Sequence, residues 1–472
     1  MRRWRQASPD SDQSADNRAT RLAWSAVFVL AAALLVAPWF GHFDDTDAQL
    51  YQVVVRTMAE RRNWFDPAYL AYFAPHYREH LPFGLWPFAC LQVGFGEWAP
   101  RVVAALFSLA TLAGVGLVGR KLMGEWPAIG AVGVLAMTET FFRYGAATRL
   151  DPLLVLLANG AAVPTLLGTR RGHWLAAALA VLAVLVKGPF GLVPLVAAAV
   201  ARAAVDRSVE PLLRGGIAAV VASLVLGGLL LLDKVSLHAG WWETYGRGQV
   251  LASAMGSRMD GSPQWWFPFA SVAGRFWPGL ALIAVLALPA VRSRITRTTI
   301  TLLALFCLVM LVELCVPGRK VWNHTLVVYP GLALLAGAAL LPAQHWLRTH
   351  GRSTAVVLLT TAGVVVVAMP VLGKLVDGTP CVGSLEFRTE LNRIQPGKSV
   401  LVVSSPTSWH MLASLAAERR LEPEPLRILP EGDSTTAEMA IVQEDLLPSP
   451  LPGWRLVQRA QGWALVRHLH PD

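Results

Sequence analysis

The sequence predicts an all-α, polytopic membrane protein of about eleven transmembrane helices, followed by a small α/β extracytoplasmic domain at the C-terminus. Three observations carry that reading. Of 472 residues, 54% are hydrophobic and only 15% charged, with a mean hydropathy of +0.47, whereas a soluble chain is about a quarter charged. The apolar residues gather into runs of roughly 16–25, the length a bilayer demands. Arginine and lysine fall in alternate connections, as the positive-inside rule requires.

Met1-Arg2-Arg3-Trp4-Arg5 opens a polar tail to residue 21, and the apolar run from Leu22 leads into Pro38-Trp39-Phe40 with no small-residue cleavage site. It reads as an uncleaved signal-anchor with a cytoplasmic tail, residues 1–21. The membrane domain is expected over 22–373, with spans near 22–40, 102–119, 126–141, 150–168, 174–187, 189–205, 216–233, 266–290, 299–316, 321–342 and 354–373. The pair flanking Lys187-Gly188-Pro189 also reads as one broken helix. With the N-terminus inside, the inner loops hold Arg120-Lys121, Arg170-Arg171, Arg202 with Arg207 and Arg214, Arg292 with Arg294 and Arg297, and Arg348 with Arg352. The outer side then receives a long first loop (41–101), a second (234–265) and the C-terminal segment (374–472). In that segment strands are expected from Ser399, Met439 and Trp463, with a helix over 409–419.

The net charge of +10 is mostly arginine and is used in setting topology. No aromatic–basic interleaving points to nucleic acid. Cys90, Cys307, Cys315 and Cys381 lack metal-ligand spacing, and Cys307 and Cys315 share one apolar segment, so no disulfide framework is expected.

The first outer loop carries the strongest chemical signal. Thr46-Asp47-Ala48-Gln49 matches a capping box, opening a helix to about Arg61 with Leu50, Val54 and Met58 on one face. Asp47 lies in the first turn, where the helix end favours an ionised carboxylate, and Tyr51 shares its strip four residues on. A carboxylate there can act as a base toward a hydroxyl; the plainer alternative is a helix cap. Tyr72-Phe73, Glu79-His80-Leu81-Pro82 and Leu85-Trp86 follow, and a loop of this length is expected to be functional. Arg149-Leu150-Asp151, Lys187-Gly188-Pro189 and Arg319-Lys320 with His324 fall at span ends on the same side. Such groups are costly unless paired or solvated, and Arg and Lys suit a phosphate; snorkelling is the alternative.

In this order, the pieces resemble a GT-C glycosyltransferase of the branch that holds aminoarabinose transferases acting on lipid A and protein mannosyltransferases. The resemblance covers roughly residues 22–342. Asp47…Tyr51…Arg56-Thr57-Met58…Trp64 matches the acidic first-loop motif, with Asp47 on the catalytic aspartate. Arg101 to Phe107 matches the start of the next span. Arg149-Leu150-Asp151-Pro152, Lys187-Gly188-Pro189 and Lys320…His324…Tyr329-Pro330 match the later motifs. Glu79-His80-Leu81-Pro82 stands where the family has Glu-Lys-Pro-Pro, so His80 or the neighbouring Arg78 replaces a lysine, and Ala48 replaces an acid. Asp44 and Asp45 compete with Asp47 should the alignment shift.

The resemblance implies an inverting, single-displacement transfer from a polyprenyl-phosphate sugar to a lipid or protein acceptor. Asp47 would be the base. Arg149, Lys187, Lys320 and His80 would face the departing phosphate, and Tyr51, Glu79, Asp151, Arg319 and His324 would complete the substrate site. It implies a bacterial inner membrane protein working on the periplasmic face among membrane lipids, without a nucleotide or nucleic acid. No cofactor is certain; a divalent metal ion is left open, with Glu79 and His80 as its nearest ligands. The competing class is a secondary transporter or lipid-linked sugar flippase. The repeated halves typical of transporters are not found.

Overall fold

In hydrocarbon a backbone has to satisfy its own polar groups, so apolar runs of this length become helices. The computed structural model describes residues 9–36, 46–68, 76–170, 172–257, 261–286, 297–339 and strands between 399 and 469. Helix α1 (Pro9–Val36) begins within the expected polar tail, well ahead of the apolar run. The first loop contributes α2 (Thr46–Arg61), a 3-10 turn at Pro82–Gly84, and α3 (Trp86–Phe95). The bundle continues through α4 (Ala99–Met123), α5 (Glu125–Ala136), α6 (Glu139–Gly145), α7 (Asp151–Leu166), α8 (His173–Lys187), α9 (Val193–Asp206) and α10 (Glu210–Leu232). Two π-helical stretches, Asp233–Leu237 and Trp242–Leu251, and a short α11 (Ala252–Met255) form the second loop. Then come α12 (Phe267–Arg275), α13 (Trp277–Val285), α14 (Arg297–Cys315), a 3-10 stretch Trp322–Val328 and α15 (Tyr329–Ala338).

Among the described residues five helical stretches are long and apolar enough to cross a membrane, and the bent pair α12–α13 is a sixth. This is a multi-pass membrane protein. One of those five, His173–Asp206, runs 34 residues, ~51 Å if straight against ~30 Å of hydrocarbon. The contacts show that it reverses instead. Lys187 meets Asp151 at the start of α7, while Arg202 lies against Gly168 beyond the other end of α7. Gly191 packs on the backbone of Ala183. The 3-10 turn Gly188–Leu192 is therefore a hairpin between two spans, α8 and α9.

Other expected spans are interrupted. The segment expected at 126–141 divides where Thr138 turns extended (φ −68°, ψ 111°). The segment expected at 266–290 bends by 91° at Phe276. Pro278 opens α13 there without an N–H to give the preceding turn. The segment expected at 321–342 starts as a 3-10 coil and becomes helical only at Tyr329, after which every residue of α15 is buried. The span expected at 354–373, the loops with Arg292, Arg294, Arg348 and Arg352, and Cys381 lie outside the described residues.

Strands β1 (Ser399–Val403), β2 (Glu422–Leu426), β3 (Met439–Gln443), β4 (Trp454–Ala460) and β5 (Trp463–His468) form one sheet in the order β2-β1-β3-β5-β4. β2-β1-β3 are parallel and β3-β5-β4 antiparallel. Successive residues Ala440, Ile441 and Val442, like Ala464, Leu465 and Val466, are all buried, so the central strands are covered on both faces. The helix expected over 409–419 lies outside the described residues.

The hairpin turn yields a stability prediction. Gly188 has φ +70°, and the Tyr245 hydroxyl occupies the space a Cβ would take. Gly188→Ala is expected to cost ~1–3 kcal/mol from a positive-φ, extended-ψ backbone (φ 70°, ψ −151°) that is essentially restricted to glycine, lowering the melting temperature of the detergent-solubilised protein. Tyr245→Phe in that background should recover part of the loss. No recovery would show that the hydroxyl is not the obstacle.

Candidate functional site

Helix α2 presents Ala48, Tyr51, Val54, Val55, Met58 and Ala59 to the core, which fixes its orientation and leaves first-turn Asp47 with a side chain 56% exposed. The loop around it is pinned in two ways. The Trp86 indole N–H donates to the Trp64 carbonyl at 2.7 Å. Asp66 pairs with Arg78 (3.0 Å) and His76 (2.8 Å), and Arg78 lies over the Trp241 ring at 5.6 Å. The second loop thereby sits against the first. Asp233 braces it by accepting the N–H groups of Ala239 and Trp242.

Asp47, Arg149, Asp151 and Lys187 meet in one cluster. Arg149 Nη2 donates to Asp47 Oδ2 at 2.9 Å, and Arg149 Nε donates to Asp151 Oδ2 at 2.8 Å. Lys187 Nζ donates to Asp151 Oδ1 at 2.7 Å. Arg149, Asp151 and Lys187 are buried. Two carboxylates face two cations, so the cluster is formally neutral. Buried charges persist only when matched in this way.

Tyr51 lies beside this group, its ring 5.8 Å from His80 and 6.5 Å from Tyr77. His80 in turn stands 6.4 Å from Tyr245. Burial, and after it the Asp47 carboxylate, pushes the Tyr51 hydroxyl well above its ordinary pKa. Burial does the same for Tyr77 and Tyr245. These phenols stay protonated at neutral pH and can donate hydrogen bonds. Glu79 is exposed next to His80. Among the described residues no group of three or more His, Cys, Asp or Glu is placed to hold a metal ion, and each oxygen of Asp151 already accepts from a cation.

The late motif divides. His324 stacks on Phe190 of the hairpin turn, 3.8 Å between centroids, and so joins the Lys187 end of the site. Arg319 and Lys320 have other bonds. Lys320 Nζ donates to the carbonyls of Pro317 (2.8 Å) and Pro263 (3.4 Å), and Arg319 to those of Gly256 and Gly261. Backbone bonds Gly318 to Ala254, Arg319 to Ser253 and Ser262 to Lys320 complete a knot between the second loop and residues 317–321. Asp44, Asp45 and Tyr72-Phe73 lie outside the described residues.

Reading the sequence missed a ladder on the far side of Arg149. Its guanidinium lies over Tyr144 (4.8 Å), Tyr144 touches Trp322 (4.8 Å), and Arg275 lies over Trp322 (4.7 Å). An arginine in the middle of the apolar run 266–290 was the available signal.

Residues 80–229 match the family described as Dolichyl-phosphate-mannose-protein mannosyltransferase. The structure of ArnT from Cupriavidus metallidurans bound to undecaprenyl phosphate superposes with a TM-score of 0.70 at 17% identity, covering 95% of this chain and 99% of that one. By fold, the chain is similar to this ArnT. The apo state of the same ArnT gives the same score and identity over 96% of this chain and all of that one. An oligosaccharyltransferase from Archaeoglobus fulgidus aligns more distantly, with a TM-score of 0.49 at 14% identity over 89% of this chain and 68% of that one. No curated protein matched in sequence.

Within this fold the two acids have separable roles. Asp151→Asn would leave Lys187 and Arg149 buried with a lost counter-charge, and breaking a buried pair costs ~3–5 kcal/mol. The expected outcome is a protein that is poorly stable in detergent. Asp47→Asn removes only the exposed partner and should melt within a few degrees of wild type. Equal melting of the two variants would contradict this division.

Proposed function

We propose that the chain transfers a sugar from a polyprenyl-phosphate donor to a lipid or protein acceptor on the periplasmic face of a bacterial inner membrane, with inversion at the anomeric carbon. The observation that carries the reading is the state of Asp47. One of its oxygens is anchored to Arg149, and the side chain remains open to solvent at the head of a rigidly packed helix. A base needs both properties, a fixed position and access to the proton it removes.

In the proposed step Asp47 takes the proton of an acceptor hydroxyl. The acceptor oxygen forms a bond to the anomeric carbon as the bond from that carbon to the phosphate oxygen breaks, and the electron pair leaves with polyprenyl phosphate. Tyr51 and His80 would wall the sugar side, with Glu79 at the rim and His324 beyond the hairpin turn. Lys187 and Arg149 would contribute positive potential to the departing phosphate while holding Asp151. Lys320 and Arg319 would act by fixing the loops rather than by touching substrate. The likeness to an ArnT that binds undecaprenyl phosphate supports a polyprenyl-phosphate donor. No metal is assigned a step, because both oxygens of Asp151, which shares Arg149 with Asp47, already accept from cations. The C-terminal segment, 374–472, is assigned to a separate small extracytoplasmic domain.

Membranes holding the wild-type chain are expected to move label from a radiolabelled polyprenyl-phosphate sugar into lipid or protein. Asp47→Asn should cut that transfer by about 10²–10⁴-fold, the usual contribution of a general base. Undiminished transfer in the variant would remove Asp47 from the mechanism. Solute uptake into sealed vesicles without a covalent product would favour a transporter.

A further inference from the structure

Tyr245 belongs to the π-helical stretch Trp242–Leu251 of the second loop, a winding that is rare and recurs at functional sites. The residue is 3% exposed, and its ring packs in a cluster with Leu81, Leu230 and Trp241. Its hydroxyl lies against Gly188, the residue after Lys187, and has no hydrogen-bond partner among the described residues. Phenylalanine would fill the same cluster without that unbonded donor. A buried polar group is seldom left unbonded unless a ligand or water completes it. Burial holds the proton on the phenol, so the group offers a donor to an incoming acceptor.

The contacts around Tyr245 close on themselves. Its ring stands 6.4 Å from His80, and His80 stands 5.8 Å from Tyr51, which is one turn from Asp47 on α2. From Asp47 the ion pairs run through Arg149 and Asp151 to Lys187, and Gly188 joins Lys187 back to Tyr245. Aromatic rings with polar tips form one side of this circuit, and charged groups form the other. Asp47 and Asp151 cancel Arg149 and Lys187, and Glu79 stands close enough to raise the Tyr51 pKa. The group therefore has no net positive charge, whether or not His80 is protonated. An uncharged ring bearing hydroxyls matches such walls, its C–H faces against aromatic rings and its oxygens against a few placed polar groups.

We propose that Tyr245 is a specificity-determining residue for the sugar of the donor, its hydroxyl donating to an oxygen of a neutral sugar held within this circuit. The second loop then supplies sugar recognition, while the first supplies Asp47. A site built around such a donor favours the ligand that accepts its hydrogen bond. A uronic acid is disfavoured, because its carboxylate would be buried without a spare cation. That a donor sugar enters the circuit rests on the transferase reading; how tightly it is held does not depend on turnover.

The test titrates the full chain in phosphatidylcholine nanodiscs with undecaprenyl phosphate and with its mannose, glucose, arabinose and glucuronic acid conjugates, reading binding from the melting temperature. At least one neutral conjugate is expected to bind wild type more tightly than undecaprenyl phosphate does, and the glucuronic acid conjugate is not. Tyr245→Phe should weaken binding of that neutral conjugate by about 3- to 10-fold, the loss of one uncharged hydrogen bond, and bind undecaprenyl phosphate as wild type does. Without ligand it should melt within a few degrees of wild type, since the hydroxyl has no partner to lose. Equal losses on the conjugate and on undecaprenyl phosphate would show a structural role and overturn the proposal. So would identical binding of every ligand by the two proteins, or no gain from any neutral sugar. Tightest binding of the glucuronic acid conjugate would overturn the neutral class. Undiminished transfer by Asp47→Asn overturns the catalytic reading alone, and a sugar-dependent loss in Tyr245→Phe stands beside it.

Discussion

The Asp151 carboxylate holds Arg149 at 2.8 Å and Lys187 at 2.7 Å in a part of the bundle where neither cation could remain unpaired. Asp151 starts α7 and Lys187 ends α8, so the pair sets two spans in register at one end. Arg149 then reaches across to Asp47 in the first loop. A short chain of charges thus fixes a loop helix relative to the spans. The hairpin after Lys187 depends on the same contact, because it delivers the lysine to Asp151. It also places Phe190 against His324 and Gly188 beneath Tyr245. Removing the carboxylate would loosen all four segments together.

Much of this was legible in the sequence because the physical demands are local. Asp47 could be placed in the first turn of a helix with Tyr51 beside it, since capping and the 3.6-residue period need only neighbouring residues. Arg149, Asp151 and Lys187 stood out because a bilayer makes ionisable groups conspicuous at span ends. Their mutual pairing was not legible. It depends on the reversal at 188–192, which the sequence left open between a broken helix and two spans. The strands β1, β3 and β5 show as apolar runs. β2 does not, because Glu422-Pro423-Glu424-Pro425 carries two prolines that only an edge strand tolerates, and the edge position is a property of the whole sheet.

The late motif shows what spacing alone does not give, the hydrogen-bond partners of its cations. In the sequence, Lys320 and Arg319 look like phosphate cations at the start of a span. Their hydrogen bonds instead go to carbonyls of residues 256–263 and Pro317. The knot forms because Gly318 and Gly256 cross at a distance that admits no Cβ, leaving carbonyls of the second loop within reach. Trp322 lies two residues beyond Lys320, so the knot determines where its ring stands, and with it the ladder from Arg149 to Arg275. Lys320 therefore bears on the site through the position of Trp322.

The burial of the cluster explains how the Asp47 carboxylate can be exposed without being mobile. If Asp47 were held by water-exposed partners alone, its pairing would be worth little and screened by salt. Its partner Arg149 is instead buried, fixed from the other side by Asp151 and from above by the Tyr144 ring. One carboxylate oxygen is thereby immobilised by a rigid donor, while the side chain remains open to the solvent face. A transport pathway has no need of that asymmetry, because it has to release each ion it binds. A group-transfer site does need it. The acceptor's proton has to be met at a fixed point, and the opposing charge at that point has to survive without competing for the acceptor.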